Sequence, residues 1–267
     1  MRHPGRPDPG DRQVHLRIVR LEASEDNFER CLAWLSPEET ARADRFRFPR
    51  HRRAFVLGRA ALRALVASYL GMDAADVNFI YGPQGKPALE NSNACSLRFN
   101  ASNSGNLAAY AFTGGCDIGV DVEQHRALAD FENIARRFFS PEETDELMAL
   151  ADGEKTAAFF RCWTRKEAYI KALGGGLSIP LDSFRVTLRP GDAARLVSSA
   201  GGADGARGWT MHEFDPGPGY AGAIAYPDAP RSVQTGPIIT VDELLDELLP
   251  YGARKSSSPR VPPDPTA

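Results

Sequence analysis

The sequence predicts an α+β fold: two duplicated small α/β subdomains related by a pseudo-twofold axis, with a ligand site in the cleft between them. Three observations predict it. The pentapeptide Ser-Pro-Glu-Glu-Thr occurs twice, at residues 36–40 and 140–144. Each copy leads into a longer amphipathic helix that ends in Leu-Gly, at Leu70-Gly71 and at Leu173-Gly174. Strand-like runs flank each copy, at 14–21 and 77–81 for the first and at 118–122 and 184–188 for the second. Recurrence at this spacing reads as duplication of one strand–helix–helix–strand unit, and ligands commonly bind where such units meet.

The elements follow in order. Residues 1–13 are rich in Pro and Gly and are expected to form a disordered tail. The N-terminal half spans 14–115. Its first helix start is a capping box: Ser36 caps, Pro37 suits the first helical position, and Glu39 reaches back. From Arg42 to Arg63 the basic residues are Arg42, Arg45, Arg47, Arg50, Arg52, Arg53, Arg59 and Arg63, with His51 among them and only Asp44 opposing. Ala54, Leu57, Ala61, Leu62, Leu65 and Tyr69 already define a buried face. A solvated helix face is one explanation of the arginines; an anionic ligand or partner is the other. Residues 99–105 read as a polar turn. Residues 107–113, Gly114-Gly115 and 116–123 read as a β-hairpin with a Gly-Gly turn.

The C-terminal half, 116–230, opens on that second strand and repeats the capping box at Ser140 and Glu143. Residues 209–214 and 220–226 read as two further strands. An extension, 231–252, carries a short helix over 238–249, capped by Thr240 with Glu243 and apolar at Val241, Leu244, Leu245, Leu248 and Leu249. Residues 253–267 are expected to be a second disordered tail.

Composition narrows the function classes. The 267 residues carry a net charge of −3, which argues against a general nucleic-acid binder. Apolar residues make up 42% and charged residues 25%, as in an ordinary soluble domain. Cys31, Cys95, Cys116 and Cys162 are scattered without C-x-x-C spacing, which suggests neither zinc nor a disulfide framework and fits a cytoplasmic setting. The first residues lack the apolar stretch of a signal peptide, and no run reaches transmembrane length.

Chemistry concentrates in two segments. In Ile118-Gly-Val-Asp121-Val-Glu123, strand alternation puts Ile118, Val120 and Val122 on one face and Gly119, Asp121 and Glu123 on the other. Two carboxylates on one face repel unless a cation or proton sits between them. Oxygen donors without nearby Cys or His suit Mg²⁺ or Mn²⁺ rather than zinc. In the second segment, Phe159, Phe160, Trp163, Ile170 and Leu173 form the apolar stripe of a helix. Lys166 falls inside that stripe, Glu167 on its flank, and Lys171 one turn further. Two readings stand open. Lys166 and Glu167 pair at the helix edge, although adjacent residues face each other poorly. Alternatively Glu167 is a third acid for the metal, and Lys166 and Lys171 neutralise a bound phosphate.

The ordered set Gly85-Lys86-Pro87, Phe99-Asn-Ala-Ser102-Asn103-Ser104-Gly105, Ile118-Gly-Val-Asp121-Val-Glu123, Phe138-Phe-Ser-Pro-Glu-Glu and Trp163-x-x-Lys166-Glu167-x-x-x-Lys171 resembles the 4′-phosphopantetheinyl transferases, in their pseudo-dimeric, Sfp-like branch. The resemblance covers roughly residues 14 to 190. It implies a cytoplasmic, monomeric enzyme that moves the phosphopantetheine arm of coenzyme A to a serine hydroxyl of an apo acyl or peptidyl carrier protein, leaving adenosine 3′,5′-bisphosphate, with no nucleic acid or membrane as partner. By the same resemblance Asp121, Glu123 and Glu167 bind Mg²⁺, with Mn²⁺ an option. Glu167 accepts the serine proton and, with Lys171, makes up the catalytic pair. Lys166 and Lys171 hold phosphates. Ser102 and Asn103 lie on the pyrophosphate, and Lys86 and Pro87 line the adenosine side. Arg42 and Arg53 grip the 3′-phosphate. The family often places His between the two serines, where this chain has Asn103, a neutral donor.

Two other classes compete. A metal-dependent phosphodiesterase or nuclease also clusters acids, yet the common pattern wants Lys two residues after Glu123, where this chain has His125. A non-catalytic module that binds coenzyme A or a carrier gains nothing from carboxylates near phosphate unless a metal is present.

Overall fold

The computed structural model describes residues 7–10, 12–82, 85–90, 96–127, 130–175, 178–199 and 202–252. The elements run β1 (Gln13–Arg20), α1 (Glu25–Ala33), α2 (Pro37–Ala43), α3 (Pro49–Leu70), β2 (Phe79–Tyr81), β3 (Pro87–Leu89), β4 (Leu97–Ser104) and β5 (Leu107–Gly114). They continue β6 (Gly119–Gln124), α4 (Phe131–Phe138), α5 (Pro141–Met148), α6 (Asp152–Leu173), β7 (Arg185–Val186), β8 (Leu196–Ser198), α7 (Gly202–Ala206), β9 (Trp209–Phe214), β10 (Tyr220–Pro227), β11 (Ser232–Thr240) and α8 (Val241–Gly252).

By packing the described residues divide into two compact units: Glu22–Val77 with 239–252, and Asp8–Leu21 with Asn78–Ile238. These units cut the chain differently from the two predicted halves. In the helical unit the expected long basic helix is two helices. Pro49 starts α3, because the residue before a proline is steered out of the helical region; Phe48 is extended there. Val56, Leu57, Ala60, Ala61 and Leu65 bury one face of α3, and Gly71 closes it at φ 64°. The capping box of α2 forms as predicted. So does that of α8, where Thr240 and Glu243 exchange bonds of 2.7 and 3.2 Å. Asp242 adds a longer-range clamp by accepting from Ser24 N and Asn27 Nδ2 at the start of α1.

The other unit holds the strands. One sheet has the order β11-β1-β5-β4, a second β6-β10-β9, and β2–β3 and β7–β8 form two ribbons. A core of Val14, Leu16 and Ile18 from β1, Leu107, Ala109 and Ala111 from β5, and Ile118, Val120, Val122 and Ile224 packs one sheet on the other. The opposite face of the three-stranded sheet lies under α6, through Ala168, Ile170, Ala223, Ala225 and Met211. Gly119 sits beneath that helix, where a Cβ would run into the Ala168 carbonyl. The order β1-β5-β4 recurs as β6-β10-β9. In both cases a strand leads, three helices and a ribbon follow, and two antiparallel strands return to it.

Several expectations are corrected. Residues 99–104 of the expected turn belong to β4, and only Gly105 turns: the hairpin joins β4 to β5 through Gly105 and Asn106, with Gly105 at φ 60°. Gly114-Gly115 is no hairpin turn: β5 pairs with β1 and β4, while β6 pairs with β10. The last part of the expected N-terminal tail is bonded, since Gly10 O accepts from Gly114 N and Arg12 O from Ser232 N. Residues 1–6, 11 and the expected tail 253–267 lie outside the described residues. β11 was not expected.

Candidate active site

The site begins where β4 meets β6 through side chains. Asn100, Ser102 and Ser104 alternate onto one face of β4. Asn100 Oδ1 accepts from Val120 N at 2.9 Å. Ser102 Oγ donates to Asp121 Oδ1 at 2.7 Å, and Ser104 Oγ to Glu123 Oε2 at 2.6 Å while accepting from Gln124 N. These three side chains tie the edge of one sheet to the edge of the other. They hold both carboxylates of the D-x-E toward α6.

α6 supplies the rest. Lys171 Nζ lies 2.6 Å from Asp121 Oδ1 and 2.9 Å from Ser102 Oγ. Glu167, one turn earlier, has its carboxyl pushed up to about 7 by burial and then by the charge of Asp121, with Glu123 adding to it against Lys171. Glu123 is also raised, by burial first, with Asp121 adding and the Ser104 hydrogen bond opposing. Lys86 Nζ donates to the Lys171 carbonyl at 2.7 Å, which caps the last turn of α6. Burial holds its ammonium below the ordinary lysine range.

The donor set fits a hard divalent cation. It is all oxygen, the charge of Asp121 helps raise the carboxyls of Glu123 and Glu167, and Asp121 Oδ2 is buried without a hydrogen-bond partner. Among the described residues, however, no three His, Cys, Asp or Glu side chains stand gathered as a ligand cluster. The Lys171 ammonium is the cation in contact with Asp121 here.

Known proteins match along the chain. A family model described as the 4′-phosphopantetheinyl transferase superfamily matches residues 117–225, and one described as 4′-phosphopantetheinyl transferase, N-terminal, matches 20–113. The 4′-phosphopantetheinyl transferase HetI of Nostoc sp. (strain PCC 7120) is 40% identical over 214 residues, covering 80% of this chain and 87% of that one. The chain belongs to the 4′-phosphopantetheinyl transferase superfamily. It is of the Sfp-like type: the 4′-phosphopantetheinyl transferase Sfp of Bacillus subtilis (strain 168) is 31% identical over 224 residues, covering 83% of this chain and 95% of Sfp. The L-aminoadipate-semialdehyde dehydrogenase-phosphopantetheinyl transferase of Homo sapiens is 30% identical over 165 residues, 58% of this chain and 53% of that one.

Within this transferase Asp121, Glu123, Glu167, Lys171 and Ser102 are brought together, with Lys86 at the edge. Lys166 is not among them, and its expected phosphate role is corrected. Its side chain is fully buried, 2.7 Å from Glu143 Oε2, and its ammonium also donates to the carbonyls of Leu181 and Phe184. It balances the buried carboxylate of the second capping box. Arg63 does the same for the first box, 2.7 Å from Glu39 and bonded to the carbonyls of Ala74 and Val77. Arg63 is therefore a core residue, not part of an exposed basic face.

Asn103 falls on the other face of β4 from Ser102 and Ser104, exposed and opposite Ala108. Pro87 opens β3 opposite Tyr81. Arg42 and Arg53 lie in the helical unit. Arg42 stands over the Phe55 ring. Arg53 stands over Phe28 and bonds Glu25 and the Ala23 carbonyl. Ser104 and Asn100 were missed as site residues, although the period-2 run Asn-x-Ser-x-Ser was there to find them.

Proposed function

We propose that this protein transfers the 4′-phosphopantetheine arm of coenzyme A to a serine hydroxyl of an apo acyl or peptidyl carrier protein, releasing adenosine 3′,5′-bisphosphate. The observation that carries the reading is the convergence of Asp121, Glu123, Glu167 and Lys171 between β6 and α6 in a chain of this family. In the reaction the serine oxygen forms a bond to the phosphorus that bears the pantetheine arm. The bond from that phosphorus to the bridging oxygen breaks, and the proton leaves the serine hydroxyl. Glu167 suits the proton acceptor, because it is a carboxyl on α6 one turn before Lys171 and close enough to Asp121 and Glu123 to feel their charge. Lys171 offsets negative charge on the pyrophosphate, and Ser102 fixes the Lys171–Asp121 contact. Asp121, Glu123 and Glu167 would hold Mg²⁺ or Mn²⁺, which when bound neutralises phosphate charge.

The two halves are proposed to be copies about a pseudo-twofold axis. The matched strand orders and the paired capping-box ion pairs, Glu39–Arg63 and Glu143–Lys166, support this. Arg42 and Arg53 are proposed for the 3′-phosphate, which planar guanidinium groups suit, and Lys86, Pro87 and Asn103 for the nucleotide and pyrophosphate. A cytoplasmic monomer acting without nucleic acid or membrane is part of the proposal. No helix among the described residues is long and apolar enough to cross a membrane. Cys31, Cys116 and Cys162 are free thiols, and Cys95 lies outside the described residues.

The test is mass spectrometry of apo-carriers incubated with the protein, coenzyme A and Mg²⁺. A phosphopantetheine mass gained on the carrier serine is expected. Absence of that gain across fatty-acid, polyketide and peptide carriers would overturn the reading.

A further inference from the structure

The two carboxylates of β6 are held differently. Asp121 Oδ1 is anchored from two sides, by Ser102 Oγ and by Lys171 Nζ. Glu123 is anchored by Ser104, whose Oγ donates to Oε2 at 2.6 Å and accepts from Gln124 N at 3.1 Å. Ser104 is the last residue of β4, and strand ends open more readily than strand centres. β4 pairs with β5 and β6 with β10, so the edges of β4 and β6 meet through side chains. The aim of the Glu123 carboxylate therefore depends on the turn that follows Ser104.

That turn is Gly105-Asn106. Ser104 and Leu107 are cross-strand partners, so the loop has two residues, with Gly105 at φ 60°. Asn106 does not serve a left-handed backbone, since Asp228 is the non-glycine residue at positive φ among the described residues. Its side chain has another use. Tyr220 Oη donates to Asn106 Oδ1 at 2.9 Å and accepts from Asn106 N at 3.5 Å. Tyr220 stands opposite Gln124 in the β6–β10 ladder, and its ring packs on the core between the two sheets. The ring is fixed among apolar groups while the hydroxyl emerges at the turn. Gly105 leaves room for it: a Cβ there would stand 2.5 Å from both Tyr220 Oη and Gln124 Oε1. From the other side Leu21 N donates to Asn106 O at 2.7 Å, tying the turn to the chain after β1.

We propose that Tyr220 and Asn106 are positioning residues for Glu123. Their hydrogen bond pins the Gly105-Asn106 turn to the three-stranded sheet, the pinned turn keeps the end of β4 closed on β6, and Ser104 at that end fixes the Glu123 carboxylate for a divalent cation. The inference rests on the reading that Asp121, Glu123 and Glu167 hold that cation. Tyr220 and Asn106 act on the orientation of a ligand, not on the reacting atoms. A hydroxyl–amide bond at an exposed turn adds little to global stability. Hydrogen bonds that orient metal ligands, by contrast, change metal affinity by about 10–100-fold.

The test is Mn²⁺ binding, read from the electron paramagnetic resonance of the free ion, with the protein saturated by coenzyme A and coenzyme A alone as the blank. Wild type, Tyr220→Phe, Asn106→Ala, Ser104→Ala and the Tyr220→Phe/Ser104→Ala double variant are compared, with thermal melts alongside. Tyr220→Phe keeps the packed ring and loses only the hydroxyl. Ser104→Ala is expected to weaken Mn²⁺ binding by about tenfold or more, and Tyr220→Phe and Asn106→Ala by about three- to tenfold. The melting temperatures of Tyr220→Phe and Asn106→Ala should stay within about 2 °C of the wild type. The double variant should bind no more weakly than Ser104→Ala, because the two changes act along one route. Wild-type Mn²⁺ affinity in both Tyr220→Phe and Asn106→Ala, or losses that multiply in the double variant, overturns the positioning role alone. A wild type that binds no Mn²⁺ beyond the blank overturns the metal reading with it.

Discussion

Lys171 Nζ and Asp121 Oδ1 stand 2.6 Å apart, with Ser102 Oγ in contact with both, so a helix and two sheets meet at one charged contact. Asp121→Ala is expected to lower transfer by at least the roughly 10–100-fold seen when groups around a metal site are altered. The fold should persist, because Lys171 keeps access to water once its partner is gone. Turnover at saturating Mg²⁺, with a thermal melt alongside, checks this; near-wild-type turnover would remove Asp121 from the site.

Lys171 itself separates two roles. As a charge on the pyrophosphate, Lys171→Ala should raise the KM for coenzyme A and Lys171→Arg should retain part of the binding. A lysine serving only to neutralise Asp121 would leave that KM untouched in both variants.

Glu167 sets a pH dependence. Its carboxyl ordinarily titrates near 4.5 and here is lifted to about 7 by burial, then by Asp121. Folded protein therefore holds a proton that the unfolded chain has released. The stability it contributes is full below about pH 4.5 and is lost as pH rises through about 7. In EDTA, the melting temperature of the wild type should fall between these limits more than that of Glu167→Gln. Saturating Mg²⁺ should shrink the difference, since a cation favours the ionised carboxyl. Parallel melting curves for the two proteins in EDTA would contradict the shift.

The site was legible wherever chemistry broke a period. Asp121 and Glu123 stand out because carboxylates occupy the strand face under a helix, and Gly119 on that face lets α6 approach. Capping boxes at Ser36, Ser140 and Thr240 were readable because they are local hydrogen-bond exchanges. What sequence could not supply was partner choice. Nothing local says that β6 pairs with β10 rather than with β5, or that Ser232–Thr240 forms a strand in the sheet of β1. Lys166 failed for the same reason. A lysine in an apolar stripe needs an acid, and its acid, Glu143, lies in another helix.

Lys166 yields the prediction that best separates core from site. Removing one partner of a buried ion pair costs about 3–5 kcal/mol. Lys166→Ala should therefore lower the melting temperature sharply, as should Arg63→Ala at the equivalent pair with Glu39. At a temperature where the variants remain folded, their KM for coenzyme A should match the wild type. A raised KM with unchanged melting would return Lys166 to the phosphates.

Arg42 and Arg53 are tested by donor choice. If they grip the 3′-phosphate, dephospho-coenzyme A should be a poor donor for the wild type. Arg42→Ala with Arg53→Ala should then narrow the gap between the two donors, because the lost contact is one that only coenzyme A makes. The structure gives the second residue a competing duty. Arg53 already bonds Glu25 at 2.9 Å and the Ala23 carbonyl at 2.6 Å. The Glu25 pair is largely exposed, and such pairs contribute little to stability, about 0–1 kcal/mol. Arg53 could exchange it for a phosphate at little cost. Arg42 meets only the Phe55 ring among its described contacts, so Arg42→Ala alone should carry most of the change in donor ratio. If the arginines instead meet an acidic carrier, their loss should slow carrier association and weaken its salt dependence while the donor ratio stays fixed. Titrating carrier against both donors distinguishes the two, and an unchanged ratio in the double variant withdraws both residues from the nucleotide.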